Sequence, residues 1–166
     1  MKPFWLLVAT LLLLVAGCGY RPTGSYTQAL LGEKVAVEFA IPLGEGEAST
    51  AIIDAINEAV ATRLGKRLAP ADEADSLLKI TQADFAITDL QKDEHGFTVL
   101  YRTTVTLTVK VIKGSDQRTL NVSGLYDYPV ETDSLQYESR RLEAIHLAAA
   151  KALDELISKL AVQGRR

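Results

Sequence analysis

Few side chains in this 166-residue sequence are placed to do chemistry: it holds one cysteine, Cys18, and two histidines, His95 and His146. His95 stands in the run Asp93-Glu94-His95-Gly96, where an imidazole and two carboxylates would hold a divalent ion only weakly; a solvated turn accounts for the same residues. His146 follows Leu142 by four positions, beside an apolar helical stripe, a place for packing rather than proton transfer. The acidic cluster Asp72, Glu73 and Asp75 lacks the glycine and terminal glutamate of a calcium loop and reads as a solvated connection. No nucleophile elbow, phosphate loop or paired-cysteine zinc motif occurs. The sequence therefore predicts no enzyme, no metal site and no cofactor.

The thiol of Cys18 has a different context. Lys2 supplies a positive start, Phe4 to Ala16 form an apolar run of 13 residues, and the small residues Ala16 and Gly17 give a peptidase access before Cys18. That run is too short to span a hydrocarbon core, which needs about 20 residues. The order Val15-Ala16-Gly17-Cys18 resembles the lipobox of bacterial lipoproteins. That resemblance implies a signal peptide over 1–17, cleavage before Cys18, and acylation of the cysteine thiol and of the new amino terminus. Several acyl chains, at about 0.8 kcal/mol per buried CH₂, make such an anchor effectively permanent. Gly19, rather than Asp, after the cysteine implies outer-membrane sorting.

Removal of 17 residues from 166 leaves 149, enough for one domain with its own core. The leader carries only Lys2 among charged residues, so 17 of the 18 basic groups face 21 acidic ones, a net charge of about −4. Bulk electrostatics thus argue against nucleic acid as a partner. Residues 18–33, with Pro22, Gly24, Ser25 and Gly32, predict an irregular lipidated tether, and 34–166 a single periplasmic domain.

Periodicity then orders the elements. Val35, Val37, Phe39 and Ile41 alternate with Ala36, Glu38 and Ala40 as a half-buried strand does. After Pro42 to Gly46, Ser49 or Thr50 is suited to cap a helix whose stripe is Ile53, Ile56, Val60 and Leu64, ending near Gly65. Leu78 and Ile80 share one parity, and Ala83, Phe85 and Ile87 the other, which predicts a bulge near Thr81 or Gln82. In the next strand Val99, Tyr101, Thr103, Val105, Leu107, Val109 and Val111 occupy one face. Arg102, Thr104, Thr106, Thr108 and Lys110 occupy the other. The turn Lys113 to Asp116 leads into a strand from Thr119 to Tyr126. A last helix, with Asp133 and Gln136 as a capping box, repeats Leu142, Ile145, Ala149, Leu153, Leu156 and Leu160. The expected fold is an α+β two-layer sandwich in the order β-α-β-β-β-α: two helices on one face of a four-stranded, mostly antiparallel sheet.

The lipobox followed by Gly19-Tyr20-Arg21-Pro22, the short first strand, the capped helix, Ala74-Asp75-Ser76-Leu77-Leu78 leading a strand, the long Val/Thr hairpin and the terminal Ala/Leu helix together resemble the LPS-assembly lipoprotein family, LptE. The resemblance covers essentially the whole mature chain. It implies a lipid-anchored outer-membrane lipoprotein on the periplasmic side. Such a protein plugs a large β-barrel lipopolysaccharide translocon (LptD-like), assists assembly of that barrel, and binds lipopolysaccharide during delivery to the outer leaflet. Its only prosthetic group would be the lipid on Cys18. The family's lipopolysaccharide contacts imply a basic site at the end of the sheet bearing the Gln91 to Gly96 turn. Here that turn offers Lys92, and the neighbouring link carries Glu131 and Asp133 where the family pattern has a lysine; Arg140 and Arg141 are then the candidate replacements. Lys113 and Arg118, at the opposite end, form the second candidate pair. The competing reading is an auxiliary lipoprotein of another envelope lipid transporter of the ABC type.

Overall fold

The computed structural model describes residues 30–40, 46–130 and 134–163. Cys18 and Asp133 lie outside them. The elements given in full among the described residues follow in the order β1 (Lys34–Phe39), α1 (Gly46–Thr62), β2 (Arg67–Leu68), β3 (Ser76–Lys92), β4 (Thr98–Lys113), β5 (Asp116–Pro129) and α2 (Ser134–Gln163). They form one open sheet, β2-β1-β3-β4-β5. The α+β class, with two helices and a sheet, is as expected, but the sheet has five strands and is mixed. Arg67 and Leu68 pair in parallel with Lys34 and Val35, and β1 runs parallel to β3. A two-residue strand is too short to display period-2 alternation, so the sequence hides β2. The parallel pairing follows from connectivity: α1 carries the chain back across the layer before β2 and β3 begin.

The long hairpin is nearer to expectation. Register slips between Ile80 and Gln82, and the Thr81 hydroxyl donates to the Thr108 carbonyl at 3.2 Å, which is the bulge that the parity change signals. β4 spans 16 residues, roughly 53 Å of strand. Thr103, Val105, Leu107, Val109 and Val111 are buried, but Tyr101 is only half-buried and Val99 is exposed. Face assignment holds along the strand while burial fades towards its start.

Alanines set the helix faces more than the aliphatic stripe foretells. In α1 the buried residues are Ala48, Ile52, Ala55, Ile56, Ala59 and Val60; Ile53 is half-exposed, one position off the expected stripe. Nor is Ser49 or Thr50 the cap: the helix already begins at Gly46, and the Thr50 hydroxyl donates back to the Gly46 carbonyl at 2.9 Å. α2 buries Ile145, Ala149, Leu153, Leu156 and Leu160 as expected, and adds Ala144, Ala148 and Ala152. Those small residues bring α2 so near β5 that a Cβ on Gly124 would overlap the Ala148 carbonyl and the Ala152 amide nitrogen. Leu31, within the span expected to be tether, is fully buried in the same core.

Candidate functional site

The hairpins divide the functional candidates between two ends of the sheet. Lys92 closes β3 and pairs with Asp89 at 3.5 Å. The turn beyond it is built by Asp93, whose Oδ1 accepts the His95 and Phe97 amides at 2.9 and 2.8 Å, with Gly96 at φ 84. Asp93 is thus occupied as a turn former. His95 is exposed beside Glu94, and among the described residues no group of three His, Cys, Asp or Glu is arranged to hold a metal.

Arg140 and Arg141 belong to α2, where they pair with Glu143 and Glu138 at 3.0 and 3.3 Å. Arg141 also places its guanidinium 5.8 Å above the Phe85 ring. Phe85 precedes Lys92 by seven residues on β3, roughly 20 Å of strand. The structure thus sets Arg141 over the middle of β3, seven residues before Lys92, while Arg140, its neighbour on α2, is exposed. Beside Arg141 lies an aromatic group that charge patterning alone does not reveal. Tyr101 stands 5.6 Å from Tyr128 and 6.1 Å from Tyr137. Burial raises the Tyr128 pKa. Its hydroxyl and that of Thr103 are both buried without a well-formed hydrogen bond.

At the opposite end Arg118 is held by Asp116 at 2.8 Å, and Lys113 faces Asp116 across the β4–β5 turn. Lys113 also borders a shallow cleft with Gly32, Lys34, Glu73 and Asp75. The acidic cluster here is structural rather than merely solvated: Asp75 Oδ2 accepts the Glu33 and Lys34 amides at 2.8 and 2.9 Å. Those two hydrogen bonds favour the ionised carboxylate and hold its pKa below the usual value. Glu73 pairs with Lys34 at 3.3 Å. His146, on α2, meets Glu58 of α1 at 3.4 Å, a helix-to-helix contact.

The sheet face away from the helices is largely polar, with Leu125 exposed opposite Thr104. Arg102 and Asp127, opposite one another on β4 and β5, form a two-pronged pair at 2.7 and 2.8 Å. Thr104, Thr106 and Thr108 continue that face along β4. Among the described residues no helix is long and apolar enough to cross a membrane.

Comparison with known proteins adds the family. A putative lipoprotein from Caulobacter crescentus shares the fold at a TM-score of 0.50 and 13% identity, over 87% of this chain and 97% of that one. Rare lipoprotein B from Shewanella oneidensis matches at 0.49 and 14% identity, over 81% of this chain and all of that one. Uncharacterized lipoprotein B from Nitrosomonas europaea matches at 0.45 and 11%, over 80% and 84%. No curated protein matches the sequence. The family model for LptE, described as lipopolysaccharide-assembly, matches residues 34–160, from the start of β1 almost to the end of α2; the chain belongs to the LptE family of lipopolysaccharide-assembly lipoproteins.

Proposed function

We propose that this chain is anchored through acylated Cys18 to the periplasmic side of the outer membrane, where it plugs and helps to assemble a β-barrel that inserts lipopolysaccharide, and contacts lipopolysaccharide itself. The observation that carries the reading is the family match over the whole two-layer domain. The helix-free face supports it, because Arg102, Asp127 and the threonines of β4 are polar partners suited to the wet lumen of a barrel. The family is one of assembly lipoproteins, not of enzymes.

Arg140 and Arg141 are the proposed phosphate contacts, with Lys92 as an outlying cation; guanidinium groups bond phosphate oxygens in pairs. Glu143 and Glu138 must yield these arginines to the ligand. The test is capture of the tagged, lipidated protein from detergent-extracted outer membrane. A large β-barrel partner supports the reading, whereas inner-membrane ATPase components would replace it with the ABC-type alternative. For the ligand, charge reversal of Lys92, Arg140 and Arg141 should weaken lipopolysaccharide binding with the circular dichroism spectrum unchanged. Loss on reversal of Lys113 and Arg118 instead would move the contact to the other end.

A further inference from the structure

Large apolar side chains collect at the far end of the sheet with little to cover them. Phe97 is 70% exposed in the turn between β3 and β4, Leu90 is 41% exposed in β3 and Val99 38% in β4. The register, Gln91 opposite Leu100 and Lys92 opposite Thr98, sets all three on the two strands and the turn that joins them. Val130, whose amide donates to the Val99 carbonyl at 3.1 Å, is half-buried beside them. The other large apolar residues exposed among the described ones, Leu68, Leu125 and Val162, are scattered over β2, β5 and the end of α2.

The backbone of this tip is ready to leave water. The His95 and Phe97 amides bond to the Asp93 carboxylate, the Asp93 amide to the Phe97 carbonyl at 2.8 Å, and the Gly96 amide to the Asp93 carbonyl at 3.1 Å. Four amides of the turn are thus met within it, and entry into an apolar phase strands none of the four. The exposed ring of Phe97 can then be covered without the cost of an orphaned donor beneath it.

Charge decides which part of an amphiphile meets the tip. From Asp89 to Gly96, Asp89, Asp93 and Glu94 stand against Lys92, a formal balance of −2 with His95 neutral, and Glu131 and Asp133 follow Val130 in the chain. The Arg102–Asp127 pair, level with Thr88, cancels. That balance favours hydrocarbon over phosphate. The arginines of this end stand elsewhere: Arg141 lies over Phe85, with Arg140 beside it on α2, and from Phe85 to Lys92 is roughly 20 Å of strand. Such a span exceeds the Debye length of about 8 Å at physiological ionic strength, so a phosphate at the arginines is screened from the tip. It is also comparable to the hydrocarbon depth of one leaflet, about 15 Å. We propose that the tip of the β3–β4 hairpin takes the acyl chains of lipopolysaccharide, with Phe97 and Leu90 as their contacts, while Arg140 and Arg141 hold the phosphorylated headgroup. The inference rests on the lipopolysaccharide reading above and adds an orientation to it, chains towards the tip and headgroup towards the middle of β3.

The sole tryptophan, Trp5, lies in the expected leader, so Phe97→Trp gives the mature protein a single indole, at the tip. Its emission should shift to the blue with intact lipopolysaccharide and stay unchanged with fully deacylated lipopolysaccharide, which keeps the sugar phosphates. Val162→Trp, comparably exposed at the opposite end, should report neither. Phe97→Ala combined with Leu90→Ala should weaken binding of intact lipopolysaccharide about tenfold. The same variant should bind the deacylated form as the parent does and keep the circular dichroism spectrum, and Phe97→Leu should retain most of the affinity. Charge reversal of Arg140 and Arg141 should weaken both forms. Full affinity of the double alanine variant for intact lipopolysaccharide, or a blue shift with the deacylated form, would overturn the proposal. So would phosphatidylglycerol vesicles that bind the parent as tightly as lipopolysaccharide and lose as much on the alanine changes, since the tip would then meet any membrane. If the parent binds no intact lipopolysaccharide, the functional reading falls and the proposal with it. If the parent binds it independently of Phe97 and Leu90, that reading stands and the proposal alone falls.

Discussion

The two halves of β3 lie on one strand and live in different surroundings. From Ser76 to Ile80 the strand is flanked by β1 and β4, and Ser76, Leu78 and Ile80 are buried beneath the helices. From Gln82 to Lys92 it has one neighbour among the described residues, its inward residues are half-exposed, and its last four are exposed. Sequence pattern is alike in both halves; what differs is how many elements reach each. Among the described residues β1 and β4 both flank the near half, while the far half pairs with β4 alone and lies under the start of α2. Stability therefore concentrates near the chain's entry at Leu31, and the far end keeps the freedom and exposure that binding requires.

The largest test of that division is truncation. Leu156 is fully buried on α2, so Leu156→Ala should cost about 2 to 5 kcal/mol. Phe85 is only half-buried, and Phe85→Ala should cost less than the Leu156 change despite the larger side chain removed. Urea unfolding of the two variants compares them directly. Equal losses would mean that the far half is packed as tightly as the near half.

Gly124 lies level with Phe85, across Val105, where α2 passes close over β5. A methyl group there meets backbone atoms of Ala148 and Ala152 rather than a side-chain end that can swing aside. Gly124→Ala should therefore cost about 1 to 3 kcal/mol, the range of overpacking. A variant as stable as the parent would show that α2 slides easily over β5.

The sequence shows the strand faces well because alternation is local, and the hairpin and its bulge follow from parity at Ile80 and Ala83. It shows the edges poorly. β2 has two residues, and the closeness of the helices depends on alanines that carry almost no periodic signal, so Ile53 looks inward while Ile52 is. The candidate cations were legible as residues but not as a group. Seven positions along β3 separate Lys92 from the residue under Arg141, and each arginine has an acid partner in its own helix turn. The tyrosine group beside them joins β4, β5 and α2, a juxtaposition that no local pattern encodes.

Acid compares the ends by charge. Backbone amides of Glu33 and Lys34 lower the Asp75 pKa, the Arg102 bond lowers that of Asp127, and the Ser123 amide and Lys159 lower that of Glu155. Each carboxylate holds its proton less tightly folded than unfolded. Their stabilisation is complete above the ordinary values of 3.8 for Asp and 4.5 for Glu and is lost as pH falls through the lower folded values. Urea midpoints should be level towards neutrality and fall below about pH 4.5. Asp75→Asn should lower the neutral plateau and make the acid limb shallower. Unchanged pH dependence in that variant would remove Asp75 from the set of groups that hold the near end.

The smallest effect has the most informative sign. Tyr128 is 2% exposed and Thr103 is fully buried, yet neither hydroxyl has a well-formed hydrogen bond. The two hydroxyls lie near enough to interact, but a poorly formed contact returns little of the water that each has lost, so removing the Tyr128 hydroxyl relieves more desolvation cost than it breaks bonding. Tyr128→Phe keeps the ring and its contact with Tyr101. It should therefore leave stability unchanged or raise it by up to about 1 kcal/mol, and Tyr128→Phe combined with Thr103→Val should not be worse. In thermal unfolding that is a rise of at most about 4 °C for a domain of this size. A fall of about 1 kcal/mol in the single variant would instead reveal a hydrogen bond at Tyr128, and the far half would then be held by a polar tie rather than by aromatic contact alone.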